Sequence, residues 1–302
     1  MPQVWINGEI ANEEIAGVSL RDTGLLHAAG VFTTMRAQAG RVFRLSQHLR
    51  RLRQSCEALF IPLQFDDAKL TDAVAEVLQQ NDLRDARMRI TATRGMARQD
   101  PLHGLQLEPT VFITAAELEP YPPEFYQRGM TVVVIDEQKL NPYDIQAGHK
   151  TLNYFSRLAA LRSASQRGAG EGLWFNVHNF LQSGSISNVF LVKNQTLLTP
   201  PTPADLQDES IAAATGYPKS AVLPGITRAA IIELARASDI PVQIKGLTIT
   251  DLLDADEAFI TNSIMQIMPV CRIERRALGE DRPGEITKSL MARYADLVLD
   301  GE

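Results

Sequence analysis

A chain of 302 residues with 45% hydrophobic and 22% charged residues has room for one large domain or two of moderate size, and its composition is that of an ordinary soluble globular protein. The net charge of −6 excludes nucleic acid as the main partner, because binding a phosphate backbone needs a basic face. The opening Met-Pro-Gln-Val-Trp-Ile-Asn-Gly lacks the basic and apolar regions of a signal peptide. No window approaches the roughly 20 uninterrupted apolar residues of a membrane-spanning helix, so no membrane partner is expected. Cys56 and Cys271 lack metal-ligand spacing and read as buried free thiols, which fits a reducing cytoplasm.

In chain order, residues 3–6 and 17–20 read as short strands, and 31–37 and 41–45 as a hairpin around Gln38-Ala39-Gly40. Ser46 is a candidate N-cap for a helix whose apolar face carries Leu49, Leu52, Cys56 and Leu59. Residues 66–80 form a second amphipathic helix with Leu70, Val74, Val77 and Leu78 inward. Residues 87–94 and 110–115 read as strands, with a polar loop at 95–107 between them. Three prolines in the run Glu119-Pro120-Tyr121-Pro122-Pro123-Glu124 place a linker at 119–125, dividing a small α/β domain at 1–118 from a larger one at 126–302. The second part reads as a strand at 131–135, a helix at 153–166 closed by Arg167-Gly168, and strands at 172–176, 189–193 and 196–199. A long surface loop at 200–220 leads to a helix at 227–237, strands at 242–245 and 258–260, and a last helix at 285–298.

Four windows carry chemistry. Lys150, in Gly148-His149-Lys150-Thr151-Leu152-Asn153-Tyr154, stands at the mouth of the 153–166 helix. A lysine amine can form a Schiff base with a carbonyl, although on this window alone a solvated lysine is the simpler reading. Leu223-Pro224-Gly225-Ile226-Thr227-Arg228 puts a Gly and a hydroxyl before a helix, the geometry of an anion site or of a plain Thr cap. Thr261-Asn262-Ser263 offers further phosphate donors after a strand, and Arg51 a bidentate cation. Leu181-Gln182-Ser183-Gly184-Ser185-Ile186-Ser187-Asn188-Val189-Phe190 is a dense run of small polar residues feeding an apolar strand, and read alone it is a hairpin turn.

Taken together and in this order, these windows resemble the class IV aminotransferase family of pyridoxal-phosphate enzymes, which includes branched-chain and D-amino-acid aminotransferases and aminodeoxychorismate lyase. The resemblance also covers Val31-Phe32-Thr33-Thr34-Met35-Arg36 and His48-Leu49-Arg50-Arg51-Leu52, and runs over nearly the whole chain. It implies a two-domain α+β fold of the fold-type IV, D-amino-acid-aminotransferase-like class, pyridoxal 5'-phosphate as cofactor, a small-molecule amino substrate and a homodimer. It also implies that Lys150 is the Schiff-base lysine and Arg51 the phosphate arginine. Ile226 and Thr227 match the phosphate-binding helix start, Asn262 and Ser263 the second phosphate loop, and Tyr154 a tyrosine that reaches the cofactor's phenolic oxygen. Phe32 and Thr34 are implied substrate contacts, and Arg98 a candidate carboxylate contact.

Two positions depart from the family pattern. Ser183 stands where the family carries a glutamate, five residues ahead of Asn188, whose carboxylate keeps the pyridine nitrogen protonated. A hydroxyl cannot supply that charge-assisted bond, so a weaker electron sink is expected. Ala28-Ala29-Gly30 stands where Gly-Asp-Gly is usual. Within the family, Phe32-Thr33-Thr34 and residues 261–270 look most like aminodeoxychorismate lyase, where aromatisation of the product tolerates a weaker sink. That is the leading expectation. An aminotransferase acting on branched-chain or D-amino acids is the alternative, and a member that has lost the cofactor and serves as a binding module is a third reading.

Overall fold

The computed structural model describes residues 1–100 and 104–300. Its residues fall into two compact units. The first comprises Met1–Glu119, His149–Asn153 and the residues from Val298 on; the second comprises Pro120–Gly148 and Tyr154–Leu297. Lys150 therefore belongs to the first unit, although it lies beyond residue 118 in the chain.

In the first unit the elements run β1 (Gln3–Ile6), β2 (Glu9–Asn12), α1 (Thr23–His27), β3 (Gly30–Gln38), β4 (Arg41–Val42), α2 (Leu45–Ala58), α3 (Asp67–Gln80), β5 (Ala86–Thr93), β6 (Met96–Asp100), β7 (Gly104–Glu108) and β8 (Val111–Glu117). Six strands form an antiparallel sheet in the order β2-β1-β8-β5-β3-β4. Period-two patterning makes it: on β5, Ala86, Met88 and Ile90 are buried, whereas Arg87 is exposed and Arg89 only half-buried. The helical spacing of Leu49, Leu52 and Cys56 on α2, and of Leu70, Val74 and Val77 on α3, buries one stripe of each helix in the same core as Trp5, Met88 and Ile113.

Several expected elements differ here. Residues 17–20 form no strand: Ser19 is used in a turn, its O accepting from Asp22 N at 2.9 Å and its Oγ from Arg21 N. Asp22 then caps α1 by accepting from Gly24 N at 2.7 Å and receives the hydroxyls of Thr93 and Thr110. Within the stretch expected as a polar loop, of which residues 101–103 lie outside the described residues, β6 and β7 pair antiparallel. Both strands are mostly exposed, and only the alternation of Leu105 and Leu107 in β7 hinted at a strand. Ser46 does not cap α2. The helix begins at Leu45, and Arg44 precedes it in the left-handed region at φ +51° with no side-chain cap.

The second unit contains α4 (Pro123–Arg128), β9 (Met130–Leu140), α5 (Phe155–Gln166), β10 (Glu171–Asn176), β11 (Leu181–Gly184), β12 (Asn188–Lys193), β13 (Thr196–Thr199), α6 (Glu209–Thr215), α7 (Ile226–Ala237), β14 (Val242–Ile244), α8 (Ile249–Leu253), β15 (Glu257–Asn262), β16 (Gln266–Ile273), β17 (Arg276–Ala277) and α9 (Glu285–Asp300). Its mixed sheet runs β11-β10-β9-β16-β15-β12-β13-β14, with β17 paired to β16. β10 and β12 bury nearly every side chain, the apolar runs Leu173–Phe175 and Val189–Val192 among them, while the polar Glu171 and Asn176 at the ends of β10 are buried as well. Phe190 and Phe259 stack across the β12–β15 pair with ring centroids 4.9 Å apart. The proline-rich stretch is not wholly extended: Pro123 opens α4, where its missing N–H costs nothing. The loop expected at 200–220 contains α6, capped by Asp208 through Ser210 N and Ile211 N.

Candidate active site

In the first unit the geometry centres on Lys150. Its backbone is pinned to the start of β3: Phe32 N donates to Lys150 O at 2.9 Å, and Leu152 N donates to Gly30 O at 2.9 Å. Val31 and Thr151 close an isolated bridge between them. Gly30 is needed for this approach, since a Cβ there would lie 2.6 Å from Leu152 Cδ1 and 2.9 Å from Ala92 O. The pinning brings Lys150 Nζ to 4.7 Å from the centroid of the buried Phe32 ring. Arg89, which faces Thr34 in the β3–β5 register, holds its guanidinium 3.6 Å from the same centroid and donates to Thr91 Oγ1. One ring thus meets two cations, each attracted to its π-face.

α2 supplies the other half of this cluster. His48 and Arg51 are one helical turn apart and buried, and both meet the hydroxyl of Thr33 on β3. Arg51 Nη2 donates to Thr33 Oγ1 at 3.0 Å. The hydroxyl proton is then free to go to His48 Nδ1, 2.7 Å away, which places the ring's own proton on Nε2. Burial pushes the His48 pKa well below its usual value, and the charges of Arg51 and Lys150 push it further down, so the ring is neutral at physiological pH. His149, beside the lysine, bonds Ser55 Oγ at 3.0 Å, and burial lowers its pKa as well.

In the second unit three loop turns and a helix start are tied to one another. α7 begins after Gly225 with no side-chain cap, so the first amides of a twelve-residue helix are offered to an anion. Ile226 and Thr227 are buried there, and Tyr294 OH donates to Thr227 Oγ1 at 3.4 Å. Asn188 Nδ2 donates to Leu223 O, and Asn188 Oδ1 lies 2.0 Å from where a Cβ on residue 225 would sit, so only glycine fits. Asn262 is spent on shape. Its Oδ1 accepts from Ile264 N and Met265 N, forming the turn that carries Ser263, and its Nδ2 donates to Ile186 O.

The run from Ser183 to Asn188 is gripped from two chemical sides. Arg157, on α5, donates through Nη1 to Gly184 O at 3.1 Å and Ser185 O at 3.0 Å, while its guanidinium lies 6.0 Å from the Tyr154 ring and 5.8 Å from Trp174. Glu171, on β10, accepts from Gly172 N, Ser185 N, Ile186 N and Ser187 Oγ. Burial raises the Glu171 pKa, and these four hydrogen bonds oppose the rise. Sequence reading missed Arg157, Glu171, His48, Thr33 and Arg89. Only His48 had a signal, its one-turn spacing from Arg51.

Among the sequence candidates, Phe32, Thr34, Arg51 and Lys150 belong to the first unit, where Phe32 and Lys150 meet. Tyr154, Ser183, Ile226, Thr227, Asn262 and Ser263 belong to the second. Arg98 joins neither group: it sits on β6 with its side chain 78% exposed, 3.9 Å from Glu108. Its strand is exposed on both faces at Ala97, Arg98 and Gln99, which the sequence spacing could not reveal.

The match to known proteins is extensive. The model of the amino-transferase class IV family matches residues 30–273. The chain belongs to the class IV aminotransferase family. It is 33% identical over 98% of its length, and 96% of the relative's, to a protein of Methanocaldococcus jannaschii whose name, branched-chain-amino-acid aminotransferase, is provisional. It is 27% identical over 96% of its length, and 93% of the relative's, to the aminodeoxychorismate lyase of Bacillus subtilis. The crystal structure of Escherichia coli branched-chain amino acid aminotransferase superposes with a TM-score of 0.86 and 28% identity, covering 98% of this chain and 94% of that one. This class IV protein is a pyridoxal-phosphate-dependent enzyme with the two-domain fold of its family. No described helix is long and apolar enough to cross a membrane, and no described cluster of His, Cys, Asp and Glu could hold a metal.

The residues present suit the cofactor. α7 offers an uncapped start to a phosphate, and Lys150 offers an amine beside an aromatic wall. Ser183 Oγ and Thr261 Oγ1 are buried with no hydrogen-bond partner in the protein. A buried hydroxyl left unpaired costs about 1–3 kcal/mol, a cost that a polar bound molecule removes.

Proposed function

We propose that the enzyme is an aminotransferase of small amino acids, of the branched-chain or D-amino-acid kind, and that it acts as a homodimer. The likeness at 33% identity over 98% of the chain to a relative bearing a branched-chain aminotransferase name carries the reading. The apolar Phe32 ring next to Lys150 suits a hydrocarbon side chain. Exposed Leu25, Leu26, Phe155 and Leu158 suit burial against a second copy.

When bound, pyridoxal phosphate supplies an electron sink for charge developing at the carbon that bears the substrate amine. Lys150 holds the cofactor covalently through Nζ and, once displaced by the substrate amine, moves the proton at the substrate α-carbon. Arg51 and the α7 start at Ile226 and Thr227 take the phosphate, and the turn at Asn262 and Ser263 adds donors. Tyr154 takes the phenolic oxygen, and neutral His48 orients Thr33 and thereby Arg51. Phe32 and Thr34 face the substrate side chain. Arg89 takes the role first expected of Arg98, binding the substrate carboxylate, because its guanidinium shares the Phe32 ring with Lys150.

A second reading, an aminodeoxychorismate lyase, is favoured by one observation: Ser183 is where a carboxylate would strengthen the electron sink. The deciding experiment supplies the purified holoenzyme with leucine, valine and D-alanine, each with 2-oxoglutarate, and separately with aminodeoxychorismate. Keto-acid formation from an amino donor supports the aminotransferase, whereas release of p-aminobenzoate with no transfer replaces it by the lyase. An Arg89→Ala variant is expected to raise KM for the amino acid more than it lowers kcat.

A further inference from the structure

We propose that Ser183 bonds the cofactor's ring nitrogen as a neutral hydrogen-bond donor, held in place by an Arg157–Glu171 clamp, so that the bound ring nitrogen stays unprotonated at neutral pH. The inference rests on the reading of the chain as a pyridoxal-phosphate enzyme with Lys150 at the cofactor's carbonyl carbon.

Three buried serines, Ser183, Ser185 and Ser187, follow one another at alternate positions, and the protein spends two of them. Ser185 Oγ accepts from Trp174 Nε1 at 2.9 Å and donates to Gly172 O at 3.3 Å. Ser187 Oγ donates to Glu171 Oε2 at 2.9 Å. Ser183 Oγ, on a side chain 95% buried (5% exposed), has no partner. Its strand faces Trp174 in the β10–β11 register, so the chain on both sides of the hydroxyl is fixed.

The clamp then decides which chemistry can reach the same place. Glu171 is the buried acid of this turn, and both of its oxygens are used. Oε1 accepts from Gly172 N and Ser185 N, and Oε2 accepts from Ile186 N and Ser187 Oγ. A carboxylate has about four acceptor sites, so none remains for a pyridinium N–H. Arg157 fixes the carbonyl side of the turn at Gly184 O and Ser185 O. Gly184 leaves no slack, because a Cβ there would lie 2.1 Å from Ser187 Oγ and 2.8 Å from Glu171 Oε2. Of the cofactor's polar groups, the phosphate is matched by the α7 start of the same unit. The ring nitrogen is an acceptor when unprotonated, which an O–H donor satisfies. A serine hydroxyl carries no charge to stabilise a pyridinium, so the unprotonated form is favoured. The consequence is a weaker electron sink, which slows proton removal at the substrate α-carbon and makes transamination slow.

The test is nitrogen NMR of the holoenzyme reconstituted with pyridoxal phosphate labelled with ¹⁵N in the ring. The expected result is a resonance at the unprotonated-pyridine position throughout the neutral pH range, moving to the pyridinium position in Ser183→Glu. Amino-donor half-reactions should be faster in Ser183→Glu than in the native enzyme. In Ser183→Ala the resonance should move further towards that of a pyridine with no donor. A pyridinium resonance in the native holoenzyme, with Lys150 carrying the cofactor, overturns the inference and leaves the enzyme assignment intact. If borohydride leaves Lys150 unmodified in the presence of excess cofactor, the assignment and the inference both fall.

Discussion

His48 and Arg51, one turn apart on α2, meet at a single oxygen, Thr33 Oγ1, which takes an N–H from Arg51 at 3.0 Å and lies 2.7 Å from His48 Nδ1. The histidine must stay neutral for Thr33 to donate to it, and its buried position between two cations ensures that.

The first prediction follows from that neutrality. The folded His48 has a pKa well below 6.5, whereas the unfolded residue titrates near 6.5, so below that pH the unfolded chain binds more protons. Stability should therefore fall as pH drops from 6.5 towards the folded pKa, with a limiting slope of about 1.4 kcal/mol per pH unit. His149 shifts in the same direction and adds to it. Urea midpoints measured across acidic pH should show a shallower slope in His48→Gln. An unchanged slope contradicts the assignment.

Arg51→Ala should weaken pyridoxal-phosphate binding by about 1.5–3 kcal/mol, the scale of a hydrogen bond to a charged group. Thr33→Val should weaken it less, because it loosens Arg51 without removing its charge. Fluorescence titration of the apoenzyme with cofactor measures both.

Ala28 closes α1 at φ +54°, a conformation that costs an L-residue roughly 1–2 kcal/mol. This gives a physical reason for the glycine usual at that position in the family. Ala28→Gly should stabilise the protein by up to about 1 kcal/mol, read as a higher denaturation midpoint, since the added freedom of the unfolded glycine offsets part of the gain.

Glu171→Ala should strip acceptors from three buried amides and one hydroxyl and destabilise the protein by about 3 kcal/mol or more, at about 1–3 kcal/mol for each group left unpaired. Gly184→Ala should weaken cofactor binding as well as stability, because its Cβ would displace both Ser187 and Glu171. Thermal denaturation with and without cofactor separates the two effects.

Much of this enzyme was legible in the sequence because its signals are local. The spacing of Leu49, Leu52 and Cys56 dictates a buried helical stripe, and Gly225-Ile226-Thr227 marks a helix start open to an anion, since both depend on residues within a turn or two of each other. Lys150, Arg51, Thr227 and Ser183 stand in short windows whose order carries the family resemblance. Tertiary structure alone decided what those residues touch. Lys150 meets Phe32 through two backbone bonds spanning about 120 positions of chain. Arg89 and Arg98, nine residues apart on consecutive strands that belong to different sheets, end on a shared aromatic ring and in solvent respectively. Glu171 looked like any strand-edge carboxylate until folding closed the 183–188 turn over it. A carboxylate's partners are set by where the chain returns, and periodicity along the chain cannot encode that.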